Sequence, residues 1–468
     1  METYTLKNKL KDNLIGDRDF YKRVIMIIIP IIVQTTITNV VNLMDNIMVG
    51  RVGTLEMSAV AIVNQLIFVF NLCIFGGLSG AGIFGTQYAG AKDEEGVRNC
   101  FRIKFYIAIS VLMISIGIFL SIPEVLINSY ISDDASAVDA ANTLIHGTNY
   151  LRIMVIGLIP FAITQIYSGS LREIGQTKIP MYASVMAIVL NTILNLLLIF
   201  GMCGFPKLGV VGAAIATVIS RTVEMLWVVF CAHRRKSEFT FLKSAFKNLR
   251  SPKDLCVKIL KKGSPVLANE FLWSMGVAMH LQCYSVRGLE VVAAANIAST
   301  VTNLFNVFFV STGNAVAIMA GQHLGANEIK EAKQTVWRLI SLSFVMCVII
   351  GGILALLSSV IPSIYNTEPV VKHLAQSFLL VTAAMMPIVS FTHNSYFAIR
   401  SGGKTIVTSV FDSGFMWSIA VPVAYFLANY SSVDVVTLYL LVHGVELIKA
   451  FISFALVKKG IWISNIVR

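Results

Sequence analysis

Uninterrupted apolar stretches of about 20 residues recur along almost the whole chain, the length a helix needs to cross a bilayer. Backbone groups in hydrocarbon have no water to bond, so each stretch closes its hydrogen bonds within itself. Twelve spans are read, at about 24–49, 56–82, 103–122, 147–170, 180–201, 209–231, 264–286, 291–318, 338–360, 373–398, 406–428 and 434–457. Composition agrees. The 468 residues are 56% hydrophobic and 13% charged, with mean hydropathy +0.76, whereas soluble chains carry about 25% charged residues. A soluble enzyme, a disordered chain and a fibrous protein are excluded. The expected fold class is an all-α polytopic membrane protein. The first apolar run starts near Val24 with no A-x-A site, so it reads as a retained span rather than a cleaved signal.

Net charge is +12, and its placement argues against nucleic acid. Of 37 Lys+Arg, 30 fall in the segments on one side of the spans or at the span ends that border them (Lys104 and Arg338), five on the other side (Arg152 at a span end among them), and two, Arg221 and Lys449, deep within spans. By the positive-inside rule this places both termini in the cytoplasm and supports an even span count. The expected organisation is a cytoplasmic segment 1–23, a six-helix lobe 24–231, a basic linker 232–263, a second six-helix lobe 264–457 and a cytoplasmic tail 458–468. The linker reads as an amphipathic helix on the inner membrane surface.

The halves are related. An offset of 235 pairs Pro30 with Pro265, Met44 with Met279, Gly53 with Gly288 and Asn71 with Asn306. It also pairs Gln87, Gly90 and Ala91 with Gln322, Gly325 and Ala326, in the turns QYAGA and QHLGA. Later the offset becomes 228, pairing LREIGQT (171–177) with IRSGGKT (399–405). Each half starts inside with six spans, so the repeats are parallel, as in many secondary transporters.

Charge inside the membrane is the first place to look for function, because each one costs roughly 2.5–3.5 kcal/mol to insert. Asp45 leads. Gln34, Thr35, Thr38, Asn39, Asn42, Asp45 and Asn46 fall within an arc of about 140° on span one. Such a stripe faces the lobe interior. On span five, Asn191, Thr192 and Asn195 reach a similar depth, about 22 Å from Pro180. Oxygens of this kind suit a hard cation such as Na⁺, and the carboxylate also suits a proton. The repeat sets His280 opposite Asp45. Glu270, His280, Asp412, Met275 and Phe305 form the candidate substrate cavity, with Met279, Met416, Trp417, Phe308 and Phe309 as further adaptable apolar surface. Glu224 with Arg221, and Glu446 with Lys449, read as structural i,i+3 pairs.

The run PIIVQTTITNVVNLMDNIMVGRVG, the QYAGAK and QHLGAN turns, LREIGQTK before span five and IRSGGKT before span eleven resemble the multidrug and toxic compound extrusion (MATE) family of exporters. The resemblance covers nearly the whole chain. It implies two lobes around a central cleft opening alternately to each side, and export of organic, often cationic, compounds in exchange for Na⁺ or H⁺. Asp45 matches the embedded span-one aspartate that takes part in cation coupling in many members, and Asn191 also matches. Asn195 departs, since many members carry aspartate there. That leaves a single-acid site compatible with either ion.

The seven Cys are scattered without a CxxC pair, and no Walker A, HExxH, GxSxG or Cys/His cluster is present. The chain therefore reads as no enzyme, with no cofactor and no metal beyond a transported Na⁺ near Asp45. Its partners are small organic molecules and the lipid bilayer of the plasma membrane, and it is expected to work as a monomer. The alternative is a flippase for a lipid-linked oligosaccharide or other lipid-like substrate. Such proteins often have fourteen spans and a cationic cavity, whereas intramembrane acids outnumber bases here. A scaffold or receptor reading lacks any sizeable soluble domain.

Overall fold

A computed structural model of the chain describes residues 14–130, 137–247, 250–365 and 367–468. The long elements are α1 Arg18–Gly50, α2 Thr54–Gly90, α3 Glu94–Ser121, α4 Ala137–Glu173, α5 Lys178–Phe200, α6 Val210–Arg234 and α7 Lys253–Ser285. There follow α8a Leu289–Phe305, α8b Val307–Gly325, α9 Ile329–Leu357, α10 Pro369–Ser401, α11 Thr405–Tyr430 and α12 Val435–Lys459. Among the described residues, ten helices are long and apolar enough to cross a membrane, and the α8a–α8b pair makes an eleventh. The twelfth expected span, α7, falls short on this measure because Asn269, Glu270, His280 and Gln282 interrupt its apolar run.

Two helices depart from the continuous spans expected. Span eight is bent by 48° between α8a and α8b, at Asn306, whose ψ of −17° is nearer a 3₁₀ than an α value. In α11 the residues Val410–Gly414 and Met416–Ala420 form π turns. Pro422 bears on the second of these, having no N–H for the Ser418 carbonyl and a ring that crowds it.

Packing divides the chain into two compact units. Unit one is Met1–Ile32 (described from Leu14), Thr86–Asp93 and Lys261–Arg468, and unit two is Val33–Gly85 and Glu94–Leu260. The lobe boundaries drawn from sequence are thus crossed at the start of α1 and at the turn after α2. The linker also differs from expectation. Residues 235–247 are turns and one 3₁₀ piece, Thr240–Leu242, and the next described helix starts at Lys253. Phe239, Phe241, Leu242 and Ala245 are buried. Arg102 of α3 donates to the carbonyls of Ala245 (2.8 Å) and Ser244 (2.9 Å), and the Phe101 ring meets Phe241 at 5.4 Å. Aromatic burial and an arginine fork hold this segment to unit two.

In unit one the repeated turns meet each other. A Cβ on Gly90 would collide with the Gln322 backbone, and one on Gly325 with the Gln87 backbone. Gln87 is fully buried. Its amide donates to Ser401 O (2.9 Å) and Ser464 O (3.1 Å) and accepts from Ile466 N (2.9 Å). Asn465 donates to Leu324 O (3.0 Å) and Gly325 O (3.2 Å), and Trp462 is buried beside them. The paired QxxGA motifs are therefore a close backbone contact that only glycine permits, sealed by residues 461–468. Gly90→Ala or Gly325→Ala is expected to destabilise the protein by about 1–3 kcal/mol, the usual cost of overpacking. Gly117→Ala, with open space around its Cβ, should leave thermal stability in detergent unchanged.

Candidate ion and substrate sites

The polar stripe of α1 meets α5 within unit two, as its arc requires. Asn195 Nδ2 donates to Asp45 Oδ1 at 2.6 Å and to Asn191 Oδ1 at 3.2 Å. Turned over, the Asn191 amide instead gives its nitrogen to Asp45, 3.2 and 3.3 Å from the two carboxylate oxygens, and no longer accepts from Asn195. Asn195 is buried, and among the described residues its Oδ1 has no hydrogen-bond partner. Thr217 of α6 completes the group, 3.4 Å from Asn191 Nδ2. Amides that present either nitrogen or oxygen can hold the bare carboxylate or share a cation with it. The side chain of Asn42 lies outside the described residues. The structure thus brings Asp45, Asn191 and Asn195 together.

Gln34 does not join them. It lies about three turns back along α1, where its Nε2 donates to Ser184 Oγ (2.7 Å) and Ser184 donates to Glu224 Oε1 (2.6 Å). Glu224 and Arg221 feel each other's charge but make no direct ion pair among the described residues, so the i,i+3 pairing expected from sequence is replaced by the Ser184 bond. Arg221 instead lies 4.6 Å over the Phe161 ring, within electrostatic reach of Asp45 and Tyr150. From Asp45 the charges alternate through Arg221, Glu224, Arg172 and Glu173 to Lys104. Lys104 belongs by sequence to the basic segment that borders span three. It is 1% exposed and binds both Glu173 oxygens at 2.6 and 2.7 Å. Desolvation explains the pairing, because a lone buried charge is costly and a paired one is tolerated.

Unit one gathers a second group. Asp412, on the π turns of α11, accepts from Lys449 Nζ (2.8 Å) and Asn269 Nδ2 (3.1 Å). Lys449 also reaches Glu446 at 3.7 Å, the i,i+3 contact read from sequence. Glu270 lies 3.9 Å from Arg400 and within reach of Asp412. His280 stands apart from these acids, about 15 Å along α7 from Glu270. The ring lies near the Ala420 backbone, and among the described residues its Nε2 has no hydrogen-bond partner. Met275 is exposed. Phe305 ends α8a and packs against the apolar core of unit one. Of the five cavity candidates, only Glu270 and Asp412 are brought together.

Sequence reading passed over His393 and Arg400. His393 of α10 lies between Phe309 (edge-on, 5.1 Å) and Phe397 (tilted, 5.0 Å), facing Asp412, Lys449 and Arg400, and among the described residues its Nε2 has no hydrogen-bond partner. The signal was the polar run Thr392–Ser395 in an otherwise apolar helix. Asn394 in that run joins Ser343 (3.0 Å), which joins Ser390 (2.7 Å) and Thr312 (2.8 Å).

Two six-helix repeats, each with charged groups packed among its helices, define a polytopic helical membrane protein of the secondary-transporter kind. The MatE family model matches residues 30–197 and 265–426, one block in each half, and the chain belongs to that family. "Probable multidrug resistance protein YoeA" of Bacillus subtilis (strain 168) is 29% identical over 420 residues, covering 88% of this chain and 87% of its own. "Probable multidrug resistance protein NorM" of Thermotoga maritima is 25% identical over 415 residues, covering 87% and 86%. A solved structure described as the outward-facing conformation of a multidrug resistance MATE family transporter matches with TM-score 0.85 at 18% identity, covering 95% of this chain and 96% of that one. The fold is the twelve-helix, two-lobe MATE fold.

Lys449→Met strands Asp412 without its cation. A loss of about 3–5 kcal/mol is expected, as for other buried pairs broken on one side. The double variant Asp412→Asn/Lys449→Met should recover more than half of it in chemical denaturation.

Proposed function

We propose that this protein exports organic cations across the plasma membrane in exchange for Na⁺ or H⁺, by alternating access of its two lobes. The observation that carries the reading is Asp45, partly buried and held between the amides of Asn191 and Asn195, in a MatE chain whose relatives are named multidrug resistance proteins. The ion binds at Asp45. Coupling follows if ion and substrate favour different states of the protein, since a ligand shifts an equilibrium only by its differential affinity. The basic end faces the cytoplasm, in line with the Lys+Arg distribution, and the monomer is the working unit.

The substrate region is the Glu270–Asp412 group of unit one. Its three acids, Glu270, Asp412 and Glu446, face two bases, Arg400 and Lys449. That residual negative charge favours a cationic substrate and disfavours the pyrophosphate of a lipid-linked oligosaccharide. No resident cofactor is assigned.

The test uses purified protein in liposomes, a fluorescent organic cation, and a Na⁺ or pH gradient imposed separately. Transport should follow one gradient and fall at least about tenfold in Asp45→Asn, with thermal stability preserved. Undiminished gradient-driven transport by Asp45→Asn would remove Asp45 from the mechanism.

A further inference from the structure

Asp45 and Asn195 are 150 residues apart, and so are Gln34 and Ser184. Helices α1 and α5 therefore run parallel and in register. Eleven residues separate Gln34 from Asp45 and Ser184 from Asn195, very nearly three full turns, so both pairs lie on the same faces about 16 Å apart. The third helix, α6, contributes to both levels. Thr217 sits with the Asp45 group and Glu224 with the Gln34 group. Arg221 lies between them and is within reach of both carboxylates.

The second repeat contains the same three-helix arrangement. Offsets of 235 and 228 carry Gln34 to Asn269 and Ser184 to Asp412. The helices Val210–Arg234 and Val435–Lys459, each 25 residues, correspond at an offset of 225, which carries Glu224 to Lys449 and Arg221 to Glu446. The hydrogen bonds correspond as well. Gln34–Ser184–Glu224, at 2.7 and 2.6 Å, matches Asn269–Asp412–Lys449, at 3.1 and 2.8 Å. The charges are exchanged. In unit one a resident ammonium group neutralises the acid. In unit two the acid takes the lysine's position, and Ser184 offers a hydroxyl where the other half has a carboxylate.

We propose that Gln34, Ser184 and Glu224 form a second site for the monovalent coupling ion, three helical turns from Asp45 on the basic side. The ligands are the Glu224 carboxylate, the Ser184 hydroxyl oxygen and, once the amide turns over from its Nε2 bond to Ser184, the Gln34 oxygen, a set that takes Na⁺ through oxygens or a proton on Glu224. The charges facing Glu224 are Arg221 on its own helix and Arg172 on α4. They temper its negative charge without contacting it, which keeps the ion exchangeable. Two carboxylates on one pair of helix faces, with Arg221 between them, give the ion a stopping place between Asp45 and the Glu173–Lys104 pair. This inference rests on the Asp45 reading but is tested apart from it.

The experiment measures gradient-driven uptake and, separately, gradient-free substrate exchange in liposomes for Glu224→Gln, Glu224→Asp, Ser184→Ala and Asp45→Asn. Glu224→Gln should lose at least about tenfold of gradient-driven transport while retaining gradient-free exchange, with Glu224→Asp partly restoring coupling. Ser184→Ala removes a hydrogen bond to a charged group. It should move the concentration of driving ion at half-maximal transport by about tenfold, H⁺ or Na⁺ being identified by which gradient responds. Wild-type coupling in Glu224→Gln would overturn the second site. So would equal loss of coupled transport and exchange, because that marks a structural residue. If Glu224→Gln is not recovered folded, Ser184→Ala decides, and an unchanged ion dependence overturns the proposal. Normal coupling in Asp45→Asn beside defective Glu224→Gln would discard the Asp45 reading and leave Glu224 standing.

Discussion

The cost of holding charge away from water organises both halves of this protein. A charged side chain among apolar helices persists only with a partner, so each one fixes a contact between helices. Lys104 ties α3 to Glu173 of α4, Asp412 ties α11 to Lys449 of α12, and Glu270 of α7 faces Arg400 of α10. Lipid supplies little hydrophobic drive between helices, so polar links and close packing of small residues carry more of the specificity than they do in water. The same groups that hold the helices together are then the ones able to exchange an ion or recognise a charged substrate.

The two repeats show how one scaffold can be assigned different duties. Equivalent helices keep equivalent positions for hydrogen-bonding side chains, yet acid and base are interchanged between Glu224 and Lys449 and between Arg221 and Glu446. The backbone arrangement is shared, and the chemistry is decided by a handful of side chains. Fold and function therefore diverge at different rates within a single chain.

Much of this was legible in the sequence because it depends on period and burial alone. Asp45 and Asn195 were brought to similar depth by counting 1.5 Å per residue, and the structure joins them at 2.6 Å. The related halves were visible as constant offsets. Contacts chosen among several neighbouring helices were harder to foresee. Gln34 was grouped with Asp45 because it shares the stripe, but a stripe fixes direction and not depth. Lys104 was counted with a basic segment because its position near a turn does not reveal Glu173 beside it. The π turn Val410–Gly414 that carries Asp412 has no local sequence signal, and burial of the linker on α3 needs the aromatic partners contributed by Phe101.

Gln87 is made early in synthesis, but its partners Ser464 and Ile466 follow 377 and 379 residues later. All of unit two is complete once Leu260 has been added, whereas unit one still lacks most of its chain. The Thr86–Asp93 segment, whose backbone bonds close locally, must therefore wait for these side-chain partners through the insertion of every later helix. Closing so long a connection is entropically unfavourable by itself. Closure around Gln87 is thus a late latching step, one that follows insertion of the helices lying between Asp93 and Trp462.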